Sequence, residues 1–172
     1  MDESYMGNQP TLSVDDIIIR PATQADIKAI GVLWQKLAIH HQQLDSRLPK
    51  SAPDGDVLYA NRIASLIEDP YHRVLVAEHN HQLIGYVFGM IADYMQDIFL
   101  PEMTGFLADI FVDEAYRGAG VGKKLVSAFA EWLKSRGIAT MEWYVASENA
   151  PARAFWEHIG GKSLIVRMQM EL

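Results

Sequence analysis

Hydrophobic and polar positions change period several times along the 172-residue chain, and each change marks an element. Ile17 to Ile19 form a short β-branched run that ends at Pro21, as a first strand would. Thr23 then stands where a helix N-cap belongs, with Asp26 at the third helical position. Ile27, Ile30, Leu33, Trp34 and Leu37 follow at helical spacing. Pro49 to Gly55 break the pattern, and a second helix is expected over Val57 to Ile67, ending before Asp69-Pro70. Arg73 to Glu78 and Leu83 to Tyr94 are strand-like, joined by a turn at His79-Asn80-His81-Gln82 into a hairpin.

Phe106 to Val112 is a further apolar strand, with Asp109 in its interior. After a glycine-rich stretch, Val121, Leu125, Val126, Phe129, Trp132 and Leu133 form one helical face, and Gly137 stands at the C-cap. Thr140 to Ala146 reads as a strand. Asn149 to His158 reads as a short helix with Pro151 in its first turn, and Leu164 to Met170 alternates as a last strand should. The order β-α-α-β-β-β-α-β-α-β predicts an α/β (α+β) fold, with helices packed on a mixed, largely antiparallel sheet. Residues 1–16 are polar, carry Gly7 and Pro10 and show no period, so a flexible N-terminal extension is expected ahead of a single domain over residues 17–172.

Composition narrows the function. Hydrophobic residues make up 49% and charged residues 22%, which excludes disorder and collagen-like repeats. The formal net charge is −7 and the pI near 5.3, the wrong sign for sequence-independent nucleic-acid binding; a cationic small-molecule partner is favoured over an anionic one. The chain has no Cys, so disulfides, thiolate metal sites and a Cys nucleophile are excluded. His79 and His81 flank a turn with no third ligand near them in sequence, and are expected to face water rather than a metal. The longest apolar run, Leu83 to Ala92, is about half of the ~20 residues a spanning helix needs, and no secretory signal is visible. A cytoplasmic protein away from membranes is expected.

The informative stretch is Arg117-Gly118-Ala119-Gly120-Val121-Gly122-Lys123-Lys124, between a strand and the strongest helix. Glycines there let backbone N–H groups point into one concavity, and the helix dipole adds partial positive charge, which suits an anion, above all phosphate. A P-loop would need glycine at Arg117 and a hydroxyl at Lys124. The dinucleotide fingerprint G-x-G-x-x-G puts Lys123 or Leu125 at its third glycine. The pattern R/Q-x-x-G-x-G/A fits at Arg117, Gly120 and Gly122.

With that turn, the chain resembles the GNAT superfamily of acyl-CoA-dependent N-acyltransferases, over about Ile17 to Leu172. A second block, Asn149-x-x-Ala152-x-x-Phe155-Trp156-x-x-x-Gly160, is similar to the family's N-x-x-A-x-x-F/L-Y-x-x-x-G. The resemblance implies splayed central strands with acetyl-CoA lying between Phe106 to Val112 and Thr140 to Ala146. Arg117, Gly118, Ala119, Gly120, Val121, Gly122 and Lys123 would hold the coenzyme's pyrophosphate. The backbone of Ile110 and Val112 would pair with the pantetheine amides as an added strand does. Asn149, a helix N-cap on its own terms, would also reach the pantetheine arm. Lys123 and Lys124 stay open between phosphate contacts and exposed first-turn lysines.

The chain departs from the family where a Tyr usually protonates the departing thiolate. That position is Trp156, whose indole N–H is no acid at neutral pH. Trp156 would wall the thioester channel, with Tyr144 the leading substitute acid and Tyr116 a second phenol. Asp109 is the candidate base, although the acid many small-amine acetyltransferases carry on this strand corresponds to Ala108. His40 and His41, at the end of the first predicted helix, read as a polar helix end.

The expected activity is acetyl transfer from acetyl-CoA to a primary amine, chiefly of a small molecule, by direct attack and without a metal. A non-catalytic acyl-CoA-binding module, an acetyltransferase of a protein amine and a nucleotide-phosphate enzyme are the alternatives. The sequence does not decide whether the chain forms a homodimer.

Overall fold

The computed structural model describes residues 16–92 and 102–171. The extension expected over residues 1–16 lies outside them except for Asp16, as do the last two residues of the strand expected over Leu83 to Tyr94. One five-stranded sheet has the order β1 (Ile18–Pro21), β2 (His72–His79), β3 (Gln82–Ala92), β4 (Thr104–Val112), β5 (Met141–Trp143). The first four strands pair antiparallel and β5 joins β4 in parallel. Helices α1 (Ile27–Leu44) and α2 (Gly55–Leu66) cover one face, and α3 (Val121–Ser135) and α4 (Ala150–His158) the other.

Covering both faces lets β3 bury Ile84 to Gly89 without a polar interruption. On one side Ile30, Leu33, Leu37, Tyr59 and Ile63 of α1 and α2 meet Val74, Val76, Tyr86, Phe88 and Phe111. On the other, Val121, Leu125, Phe129 and Leu133 of α3 and Trp156 of α4 meet Leu75, Ala77, Val87 and Leu107. Gly89 allows the second layer to close, because a Cβ there would stand 2.3 Å from Phe129 Cζ and 2.6 Å from the Phe106 carbonyl oxygen.

The start of α1 is tied to the sheet by charge. A short 3-10 turn, Gln24–Asp26, leads into the helix, and the Thr23 N–H donates to Asp26 Oδ2 at 2.7 Å. The Arg20 guanidinium on β1 donates to both Asp26 oxygens, at 2.7 and 2.9 Å, and to Glu78 on β2 at 2.8 Å. Asp26 is buried, and Arg20 holds its carboxyl down at about 2.

Three expectations need correction. The strand expected over Thr140 to Ala146 is only Met141–Trp143, because its ladder with β4 ends there. The strand expected over Leu164 to Met170 is not formed: these residues belong to no ladder, and Leu164, Ile165, Val166, Met168 and Met170 are 74–84% exposed. Alternation suits a strand, but a strand exists only where a neighbour accepts and donates its backbone hydrogen bonds. In the hairpin turn, Asn80 and His81 are both left-handed, with φ of 48° and 62°, as a two-residue primed turn requires. His81 faces water as expected, but His79 packs its ring 5.6 Å from that of Tyr116.

Candidate active site

The turn expected to bind phosphate joins β4 to α3. Asp113 Oδ1 accepts from the Ala115 N–H, a 3-10 turn follows over Glu114–Tyr116, and Gly118 and Gly120 adopt φ of +80° and +79°. Those left-handed values suit glycine and turn successive N–H groups toward one side. Lys124 N–H is the first to close a helical turn, onto the Gly120 carbonyl at 3.1 Å. The N–H groups of residues 118–123 have no backbone acceptor among the described residues. Arg117 folds back, its Nε donating to the Val112 carbonyl at 3.1 Å, with the guanidinium 5.6 Å from the centre of the Phe111 ring. Lys123 is exposed. The turn thus gathers backbone donors beside the side chains of Arg117 and Lys123.

Helix α1 reaches the same end of the sheet. Lys36 Nζ donates to Asp113 Oδ2 at 2.5 Å and holds that carboxyl below its ordinary range. Burial pushes the His40 and His41 imidazoles down, and the Arg117 charge adds to this at His40.

Strand β4 carries a bulge that decides where Asp109 points. Phe88 is opposite Asp109, and the next residue, Gly89, is opposite Leu107, so Ala108 is an extra residue. In a regular strand, residues 107 and 109 share a face. Here Leu107 packs with the α3 layer, whereas Asp109 accepts a hydrogen bond from the Tyr59 hydroxyl on α2, 2.9 Å away. Ala108 packs toward the α1–α2 layer too. The bulge therefore gives Asp109 the side of the sheet that Ala108 also faces. Burial raises the Asp109 carboxyl above its ordinary value, against the lowering effects of Tyr59 and Arg62.

Past the bulge the central strands part. Strand β5 pairs with β4 only from Gly105 to Leu107, so Ala108 to Val112 have β3 on one side and no described strand on the other. Ile110 and Val112 turn their side chains into the α3 layer and leave a backbone edge facing the gap. The expected splay is present.

The other predicted residues lie on α4 or just beyond β5. Asn149 Oδ1 accepts from the Ala152 N–H at 3.1 Å, the N-cap role, at the head of α4. Trp156 is 6% exposed, with its ring 4.3 Å from that of Trp143 and 5.1 Å from that of Phe155. Tyr144 is 80% exposed just beyond β5, its ring edge-on to Phe106 at 5.4 Å. Tyr144 packs against Phe106, whereas Asp109 lies under α2.

Sequence reading missed the residues that surround Asp109. Tyr59 stacks on Trp34 at 4.8 Å and packs edge-on to Tyr86 at 6.2 Å. The buried Tyr86 hydroxyl has no hydrogen-bond partner among the described residues. Trp34, Lys50, Ser51, Gly55, Tyr59 and Arg62 line an open cavity of about 290 Å³ between α1 and α2. Tyr59 stands on the buried face of α2, a position the helical pattern could flag as interior, but the strand residue it meets is fixed only by tertiary packing. Among the described residues there is no group of three metal-ligating side chains and no helix long and apolar enough to cross a membrane.

A mostly antiparallel sheet opened at β4, with a glycine turn at the head of the following helix, is the architecture of an acyltransferase fold. Residues 37–160 match the family model described as Acetyltransferase (GNAT) family, and the chain belongs to that family. It is 30% identical over 120 residues to L-ornithine N5-acetyltransferase NATA1 of Arabidopsis thaliana, a match covering 65% of this chain and 49% of that protein. The chain thus spans about half the length of that relative. Its fold is similar to a tetramutant of the BH1408 protein from Bacillus halodurans, with a TM-score of 0.81 and 22% identity over 90% of this chain and 99% of that one. It is also similar to an aminoglycoside N-acetyltransferase, AAC(6')-Iy, in complex with CoA, with a TM-score of 0.71 and 18% identity over 95% and 97% of the two chains.

Proposed function

We propose that the chain transfers an acetyl group from acetyl-CoA to a primary amine of a small molecule. The observation that carries this reading is one continuous arrangement: the N–H groups of residues 118–123, without a backbone acceptor among the described residues, open α3 after the stretch of β4 that has β3 as its one described partner, and Asp109 lies in that stretch. The N–H groups, with Arg117 and Lys123, hold the pyrophosphate. The backbone edge at Ile110 and Val112 pairs with the pantetheine amides, and Asn149 reaches the same arm from the head of α4. Trp156 closes the wall of the channel from the core side, its ring tilted against that of Trp143.

Acetyl-CoA supplies a thioester whose C–S bond breaks as the C–N bond to the acceptor forms. The chain's residues handle the protons. Asp109 takes one from the acceptor ammonium, directly or through water, and its raised affinity for protons makes it a stronger base than a surface carboxylate. Tyr144 is assigned to protonate the thiolate, a role Trp156 lacks the chemistry to fill. The acceptor enters from the α1–α2 side, where Trp34 and Tyr59 line the cavity. Attack is direct, which agrees with the absence of Cys, and positioning supplies much of the rate.

Calorimetric titration with acetyl-CoA tests the site. Gly120→Val, which places a branched side chain at φ +79° in the cradle, is expected to weaken binding at least about tenfold while circular dichroism shows the fold retained. Wild-type affinity in the folded variant would refute the assignment.

A further inference from the structure

We infer that the acceptor amine also carries an anionic group, a carboxylate or a phosphate, and that Lys50 and Arg62 hold that group at the cavity between α1 and α2. The inference rests on the acetyl-transfer reading and narrows it to amines that are oxyanions at their other end.

The cavity departs from the charge of the chain around it. Asp and Glu outnumber Lys and Arg by 22 to 15, yet the lining contains Lys50 and Arg62 and no carboxylate. Other cations of this region are already matched, Lys36 to Asp113 at 2.5 Å and Arg47 to Asp45 at 2.6 Å. Lys50 and Arg62 are exposed, and neither has an ion-pair partner among the described residues. An incoming molecule meets the local charge before the average one. Two unmatched cations on a mostly apolar cavity suit a small anion, to which guanidinium and ammonium groups both make charge-assisted hydrogen bonds.

The rest of the lining suits a short molecule with two unlike ends. The Ser51 hydroxyl donates to Gln35 Oε1 at 2.9 Å, which fastens the stretch carrying Lys50 onto α1. Trp34 and Tyr59 stack at 4.8 Å in the wall and offer an apolar surface to a carbon body. At about 290 Å³ the cavity lies at the small end of ligand sites. Tyr59 connects the two ends, because its ring lines the cavity and its hydroxyl reaches Asp109. Arg62 follows Tyr59 by three residues, so the two are neighbours on the surface of α2. The Arg62 charge lowers the Asp109 carboxyl, and an anion resting on Arg62 offsets that effect. The acceptor's anionic end thereby favours proton uptake by Asp109 from its amine end.

The test compares straight-chain ω-amino acids with alkylamines of matching length, and aminoalkyl phosphates with the matching amino alcohols. Thiol release is measured from acetyl-CoA. Binding is measured separately by calorimetry with coenzyme A in place, where no acetyl group can move. The anion-bearing member of at least one comparison is expected to exceed its partner about tenfold or more in kcat/KM and in affinity, and the comparison that shows it identifies the anion as carboxylate or phosphate. Lys50→Gln combined with Arg62→Gln, both at exposed positions, should bring that ratio close to one with the circular dichroism spectrum retained. Thiol release without any preference for the anion-bearing amines, or a preference that survives in the folded double variant, would overturn the inference and leave acetyl transfer standing. Preferential binding without thiol release would do the reverse. Neither binding preference nor thiol release would refute both.

Discussion

The Tyr59 hydroxyl on α2 donates a hydrogen bond to Asp109 Oδ2 on β4 across 2.9 Å, joining the helical layer to the bulge in the sheet. Burial pushes the phenol of Tyr59 far above its ordinary value, so the proton stays on the tyrosine and Asp109 is the acceptor. The bond lowers the Asp109 carboxyl while burial raises it, and burial is the larger effect.

Tyr59→Phe therefore removes a brake on the Asp109 carboxyl. Its proton affinity rises further, and the acidic limb of kcat/KM should move to higher pH, with a stability loss of about 1 kcal/mol. Asp109→Asn should abolish that limb and lower kcat/KM by about 10²–10⁴, with acetyl-CoA affinity retained. A carboxyl whose folded pKa is raised loses folding stability as the pH climbs from its unfolded value to its folded one, and the whole penalty is present above both. The Asn variant should thus melt higher than wild type at neutral pH. A pH–rate profile unchanged in both variants would remove Asp109 from proton transfer.

Tyr144→Phe tests the assigned acid. The residue is 80% exposed, so deleting one hydroxyl should leave the melting temperature unchanged. Steady-state kinetics should show kcat reduced by roughly tenfold or more with KM little altered, the sign of an interaction made only in the transition state. Equal kcat in the two enzymes would leave thiolate departure without help from this phenol.

The Arg20–Asp26 pair makes a separate prediction about stability. The Asp26 carboxyl titrates at about 2 in the folded chain, against roughly 3.9 when unfolded. Its contribution is present in full above the unfolded value and is lost as the pH falls toward 2. Asp26→Asn should cost about 2 kcal/mol at pH 7 by chemical denaturation, a difference that shrinks as wild type is taken from pH 4 to pH 2. A constant difference across that range would show that packing, not ionisation, holds the start of α1.

Much of the molecule was legible in its sequence because periodicity and glycine placement act locally. The face of α3 from Val121 to Leu133, the hairpin turn and the Arg117 to Gly122 motif all came from spacing alone, and each is an element or turn in the fold. The partners of Asp109 were not legible. Tyr59 is 50 residues away, and the bulge at Ala108 that aims the two at each other leaves no mark on the apolar pattern of β4. Leu164 to Met170 shows the opposite case: the alternation is local and plain, but a strand also needs a neighbour, and none of the described residues pairs with it.

The central claim is acetyl transfer to an amine, and the most direct measurement is release of free thiol from acetyl-CoA across a panel of primary amines, with the acetylated product quantified by mass spectrometry. Amine-dependent thiol release, matched one for one by acetylated amine and lost in Gly120→Val, is the predicted result. Tight binding of acetyl-CoA with no thiol released for any small amine would contradict it, and would make the chain a coenzyme-binding module or an enzyme for a protein amine.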